Sequence, residues 1–168
     1  ENDFGVGDFG DIHDMVDWCA ETGQTVLQIL PINDTTMTRT WVDSYPYKAN
    51  STFALHPMFL RLSELGTLAD ADRQAYYDSL GRELNALKEI DYERVNNGKM
   101  EFAREIFAQE GKKVMSSKEF KDFVIQNEYW LKPYAAFCVL RDKFDTPDYT
   151  KWGEYADYDA EKVERLVC

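Results

Sequence analysis

Histidine is scarce in this chain of 168 residues, with only His13 and His56. The three cysteines, Cys19, Cys138 and Cys168, are odd in number, and no Cys-x-x-Cys spacing occurs. These scarcities argue against a histidine-rich metal centre, a cysteine-based zinc site and a disulfide framework; a reducing cytoplasm is the fitting compartment. No apolar run approaches the roughly 20 residues that a membrane-spanning helix needs. The opening Glu1-Asn2-Asp3-Phe4-Gly5 has neither the basic nor the apolar region of a signal peptide and no initiator methionine, so the chain is expected to begin inside a longer one. Basic residues are in deficit too: 19 Lys and Arg stand against 31 Asp and Glu, for a formal charge of −12. A field of that sign repels phosphate backbones and anionic lipid, which removes nucleic acid and membrane surfaces as partners. A neutral ligand such as a sugar meets no such penalty. Internal repeats and low-complexity tracts are also missing.

What the sequence does hold is bulk. Hydrophobic residues make up 44% and aromatics 14%, with 10 Tyr, 10 Phe and 4 Trp, enough for a real core in one domain with a small appendage. Asp11 to Gly23 reads as a helix, because Ile12, Met15, Val16, Cys19 and Ala20 fall on one stripe. Its acids Asp11, Asp14, Asp17 and Glu21 lie off the stripe as a solvated face favoured near a helix N-terminus, and Gly23 is placed to cap the end. Thr25 to Leu30 is almost continuously apolar and β-branched and closes at Pro31, the pattern of a strand buried on both faces. A helix running into such a strand is half of a βαβ unit whose first strand is missing.

After Leu55 the pattern is helical. Pro57 to Leu62 reads as a short extended piece, and Leu68 to Leu87 as one helix or two with Gly81 the weak point. Tyr92 to Gln109 makes another helix. Ser116 and Glu119 form a capping box that opens the next, and Pro133 fits the first turn of a further helix carrying Tyr134, Phe137, Cys138, Arg141 and Phe144 on one side. Asp145 to Tyr158 is irregular, and Ala160 to Val167 is a last short helix.

Between Asn33 and Phe53 neither period is present. A loop of that length inside a folded chain is usually functional, and Trp41, Tyr45, Tyr47 and Phe53 argue against disorder. In parallel α/β folds, ligands meet the loops at the C-terminal ends of strands. Asn33 and Asp34 stand at that point. Aromatic faces stack on the apolar side of a pyranose, and Asn and Asp side chains bind its hydroxyls. From composition alone, a structural loop pinned by its own aromatics fits equally well.

The order of residues is more specific. The run Asp43-Ser44-Tyr45-Pro46-Tyr47, followed by Ser51, Phe53, Ala54 and Pro57, resembles the S-P-Y-x-x-x-S-x-F-A-x-x-P block of the amylomaltase, or 4-α-glucanotransferase, family. Phe4-Gly5-Val6-Gly7-Asp8-Phe9-Gly10-Asp11 is similar to its Y-G-I-G-x-F-G-D segment, Val26 to Pro31 to its W-Q-x-L-P-L strand, and Trp130 to Phe137 to its W-L-x-x-Y-A-L-F helix, with Trp152 beyond. Tyr45 and the Asn33-Asp34-Thr35 run depart from the short bacterial form and resemble the long form.

The resemblance implies an α/β fold: a partial (β/α)₈ TIM-barrel fragment, mostly α-helical, with one central buried strand and a helical insertion. Residues 1–62 would be the first part of the catalytic barrel and 63–168 the insertion. It further implies retaining transfer of α-1,4-glucan segments between maltooligosaccharides or glycogen- and starch-like polymers, without cofactor or metal. The family's nucleophile lies in an R-x-D-H-type motif, which this sequence lacks, so no catalytic carboxylate is assigned here and the isolated chain is expected to be inactive. Tyr47 matches the family's substrate-contacting tyrosine. Asp43, Ser44, Asn33 and Trp41 are inferred as substrate-binding from position and chemistry, with a loop-anchor role for Trp41 equally open. His56 reads as a loop hydrogen-bonder and the aromatics of 130–137 as core. The competing readings are a non-catalytic glucan-binding segment and an acidic helical interaction module. The expected partners are α-1,4-glucans and the remainder of the barrel.

Overall fold

The computed structural model describes residues 3–167; Cys168 lies outside them. Among the described residues six α-helices account for more than half of the length: α1 Asp11–Glu21, α2 Leu62–Leu65, α3 Ala71–Asn85, α4 Tyr92–Ser116, α5 Lys118–Phe144 and α6 Ala160–Val167. No strand occurs among the described residues. The chain folds into two compact units that interleave along the sequence. The first takes residues up to Ile32 together with Leu55–Lys113, and the second Asn33–Ala54 together with residues from Val114 onward.

In the first unit, α1 forms where the apolar stripe places it. Beyond it Gly23 takes a φ of +73°, the left-handed conformation that glycine adopts without a Cβ penalty. Of the stripe, Cys19 is buried while Met15 and Val16 are exposed. The segment expected as a buried strand, Thr25 to Leu30, is not one. It has no regular structure, and Val26 is 78% exposed. A parallel strand is held by hydrogen bonds to strands beside it, and none is present among the described residues to supply that ladder.

The core of this unit lies between α3 and α4. Tyr77 and Leu84 from α3 meet Val95, Phe102 and Ile106 from α4, and Phe4 packs with them. Asp70 caps α3 by accepting from the N–H groups of Asp72 and Arg73, both at 3.0 Å. Gly81, expected as a weak point, sits within one continuous helix, and its missing Cβ, which would stand 3.0 Å from the Phe4 ring, makes room for that ring. Tyr77 donates to Glu105 at 2.8 Å, and Arg73 closes on the same carboxylate at 3.1 Å. Burial, followed by that carboxylate, pushes the Tyr77 hydroxyl up to about 12. Pro57–Phe59, expected to be extended, forms a 3₁₀ turn.

The loop before α1 is fastened by charge. Arg61 donates from Nε to Asp8 at 2.7 Å and from Nη2 to Asp11 at 2.5 Å. Gly10 lies so close that a Cβ would stand 2.1 Å from the Arg61 Cζ. Lys99 is 1% exposed and donates to the Leu60 carbonyl at 2.9 Å. Burial holds its ammonium down to about 8 against the pull of Asp8, Asp3 and Asp11.

In the second unit α5 begins one residue later than the capping box suggests. Ser117 is the cap and accepts from the Phe120 N–H at 3.1 Å, while Ser116 ends α4. Pro133 starts no helix of its own but lies inside α5. Its missing N–H costs one bond of the helical ladder, and the remaining turns on either side carry the helix past it. Asp145, at φ +51°, ends α5. The irregular segment after it contains 3₁₀ turns at Tyr149–Lys151 and Gly153–Tyr155 before α6, which packs on α5.

Candidate functional site

The long loop Asn33–Ala54 is built on two buried carboxylates. Asp34 donates its N–H to the Ala54 carbonyl at 2.9 Å, and its own carbonyl accepts from the Asn50 N–H at 2.8 Å. Its side chain accepts from the Thr36 N–H at 2.9 Å and from the Tyr134 hydroxyl of α5. Burial, reinforced by that carboxylate, pushes the Tyr134 hydroxyl well above the ordinary phenol range. The Thr36 carbonyl takes two more donors, the Asn50 amide at 2.8 Å and the Arg141 guanidinium at 2.7 Å. Tyr134 and Arg141 stand two helical turns apart on α5 and so face the loop together.

Asp43 makes the second clasp. Its carboxylate accepts from the N–H groups of Met37 at 3.0 Å, Thr38 at 2.8 Å and Arg39 at 2.6 Å, and from the Thr38 hydroxyl at 3.2 Å. The three N–H groups converge on Oδ2, and the Thr38 hydroxyl meets Oδ1. The Asp43 carbonyl also accepts from the Thr35 hydroxyl at 2.5 Å. Arg39 reaches these positions at φ +61°, and its guanidinium pairs with Asp142.

These clasps fix a rim from which aromatic rings project. A 3₁₀ turn over Trp41–Ser44 leaves Trp41 and Ser44 exposed. Tyr47 is 63% exposed, and its ring lies 5.5 Å from that of Tyr45 at 52°. Further along, Ser51 Oγ accepts from the N–H groups of Phe53 and Ala54, both at 3.1 Å, and Phe53 stacks on Trp130 at 5.6 Å. Asn33 is half-buried, with its amide 3.5 Å from the Ala54 carbonyl.

Of the five residues expected to bind substrate, Trp41, Ser44 and Tyr47 thus share the exposed part of one loop. Asn33 stands at its base, and Asp43 turns inward to the backbone of residues 37–39. The sequence reading missed the framework of Asn50, Tyr134 and Arg141. The spacing of Tyr134 and Arg141 on one helical face was the available signal. His56 is buried; its Nδ1 accepts from the Met58 N–H at 3.2 Å, so Nε2 carries the proton facing the Tyr92 hydroxyl at 2.9 Å. The carboxylates of Asp3, Asp8 and Asp11 lie within 4.8 Å of one another, but Arg61 already supplies positive charge to two of them. No helix is long and apolar enough to cross a membrane among the described residues.

A family model described as 4-alpha-glucanotransferase matches residues 1–167. The chain is 44% identical over 165 residues to the "4-alpha-glucanotransferase DPE2" of Oryza sativa subsp. japonica, covering 98% of this chain and 17% of that protein. It is 33% identical to a 4-alpha-glucanotransferase of Chlamydia muridarum, covering 91% of this chain and 28% of that protein. A 4-alpha-glucanotransferase of Streptococcus pneumoniae is 30% identical, with 97% and 31% covered. The chain therefore spans less than a third of the length of these relatives. No solved structure matches it significantly.

Proposed function

This chain belongs to the 4-alpha-glucanotransferase family, and from that premise we propose that it forms the part of such an enzyme that receives an α-1,4-glucan. The whole enzyme would move glucan segments between maltooligosaccharides or glycogen- and starch-like polymers in the cytoplasm, by retaining double displacement. A carboxylate nucleophile would form a glycosyl-enzyme, and a second carboxyl group would act first as acid and then as base. Both carboxylates would come from chain beyond this segment, since no R-x-D-H motif occurs in it. Residues 1–62 would supply the first part of the catalytic barrel and 63–168 a helical insertion. The exposed apolar residues of α1 and of Thr25–Leu30 would then be covered by the remaining strands and helices of that barrel.

The observation that carries this reading is the exposed Tyr47 on a loop fixed by two buried carboxylates. A ring held out in this way meets a sugar without first being ordered, so less entropy is lost on binding. Trp41 and Ser44 would extend the contact surface, Asn33 would close its base, and Asp43 would serve it by holding the loop. In the full-length polypeptide, Tyr47→Phe removes one hydrogen bond and is expected to cost about 0.5–1.5 kcal/mol of substrate interaction. Tyr47→Ala removes the ring as well and is expected to cost about 2–3 kcal/mol, read as kcat/KM, with Tm nearly unchanged. A fall in Tm with kcat/KM unchanged per folded molecule would make Tyr47 a packing residue and end this reading. Incubating this 168-residue chain alone with maltotriose should release no glucose.

A further inference from the structure

The Asp43 clasp is gripped from outside by a second carboxylate of the opposite kind. Asp43 is buried and accepts from backbone N–H groups, whereas Asp142, near the C-terminal end of α5, is exposed and pairs with two guanidinium groups. Its Oδ1 accepts from Arg141 Nε at 3.0 Å and stands 3.0 Å from Arg141 Nη2, and its Oδ2 accepts from Arg39 Nη2. Arg141 is itself buried, and its Nη1 donates to the Thr36 carbonyl at 2.7 Å. Thr36 and Arg39 bound the turn that Asp43 closes. One carboxylate therefore reaches both ends of that turn, through Arg141 at one and Arg39 at the other. All of these residues belong to the second unit.

Two features make this grip a matter of shape more than of stability. Arg39 stands at φ +61°, a conformation that a residue with a Cβ keeps only where its surroundings over-determine it. An exposed pair such as Arg39 with Asp142 contributes little to global stability, because water screens it and the arginine side chain must be held still. What the pair constrains lies immediately downstream: only Thr40 separates Arg39 from the 3₁₀ turn over Trp41–Ser44, and Tyr47 follows three residues later. We propose that Asp142 is a positioning residue for the substrate-receiving loop, acting through Arg39 and Arg141 to hold Tyr47 in its binding place without touching substrate. The inference rests on the glucan reading given above and adds to it a control made of charge. A loop that takes its binding shape only part of the time binds more weakly by that fraction. The substrate is neutral, so ionic strength would reach its binding through this pair.

The test uses the longest natural polypeptide carrying this sequence, with glucose release from maltotriose as the readout. Asp142→Asn keeps the size of the side chain and removes its charge. It should raise KM about fivefold or more, a fall of the competent fraction to about one fifth, with kcat and Tm nearly unchanged. Asp142→Glu, which keeps the charge, should stay near the wild type. Raising sodium chloride from about 0.05 to about 0.5 M shortens the screening length to a few ångströms and should raise the wild-type KM, while that of Asp142→Asn stays level. On a Tyr47→Ala background, Asp142→Asn should add little. An unchanged KM in Asp142→Asn overturns the inference, as does a KM in Asp142→Glu as high as in Asp142→Asn. Equal salt slopes in the wild type and Asp142→Asn overturn it too, and so does full additivity with Tyr47→Ala. A fall of several degrees in Tm with KM unchanged per folded molecule would make the pair a structural one and end the inference. If the wild type transfers on maltotriose while Asp142→Asn keeps its KM, the positioning role falls alone. If the wild type transfers nothing, the glucan reading falls and this role with it.

Discussion

The α3–α4 core and the Asn33–Ala54 loop are ordered by opposite means. In the core, Tyr77, Val95 and Phe102 are almost fully buried, and the backbone is satisfied within the helices. In the loop there is no repeating hydrogen-bond pattern, and order comes from Asp34 and Asp43 accepting from N–H groups a few residues away. A hydrophobic core hides its aromatic rings, whereas a loop held by internal carboxylates can leave its rings in water. Any surface that is to offer rings to a ligand needs the second kind of order, since rings spent on packing are not available to one.

The sharpest way to break the contrast is to attack the core. Phe102→Ala should lose about 3–5 kcal/mol in urea unfolding, the usual cost of truncating a buried phenylalanine. A loss below about 1 kcal/mol would mean that burial is not what holds α3 against α4. Lys99 gives the next effect. Its folded value near 8 lies below the free value of 10.5, so the unfolded chain binds more protons between these limits. Stability should therefore rise as pH climbs from 8 toward 10.5, by up to about 3 kcal/mol. Lys99→Met should remove that rise, and equal slopes in the two proteins would show that another group causes it.

Asp43→Ala should cost about 1–3 kcal/mol, because three N–H groups lose their common acceptor. The sharper readout is hydrogen exchange. Amides of residues 37–39 should lose protection while those of α4 keep theirs, and uniform loss would contradict an independent clasp. Val26→Ser should have the smallest effect, within about 0.5 kcal/mol in this chain, since the residue faces water. A larger loss in this chain would restore the buried strand read from the sequence.

The pattern of success and failure in the sequence has a physical cause. Helices α1, α3 and α6, and α4 as far as Gln109, were legible because a helical pattern is local. The strand at Thr25 to Leu30 was not, because a strand is completed by neighbours and six apolar residues do not name them. The continuity of α5 through Pro133 was hidden for a related reason: the turns on either side carry the helix, while the proline signal is read one residue at a time. In the loop, Tyr47 and Trp41 stood out as aromatics outside any period. The inward turn of Asp43 did not, though the threonines at 35, 36 and 38 foreshadow a segment rich in local donors. The link from Tyr134 to Asp34 joins residues 100 apart, a separation that no window of sequence reveals.

The missing Cβ at Gly10 has a consequence for how this chain can change over generations. Arg61 fills the space that any side chain at residue 10 would occupy, and it binds Asp8 and Asp11 on either side. Residues 8, 10, 11 and 61 are therefore bound as one inherited unit. Alanine at residue 10 would push the Arg61 guanidinium aside and weaken its bonds to Asp8 and Asp11, and a shorter residue at 61 would in turn release the pressure for acids at 8 and 11. In a set of relatives, these four columns should drift together or stand still together, while the exposed α1 residues between them and the loop vary independently.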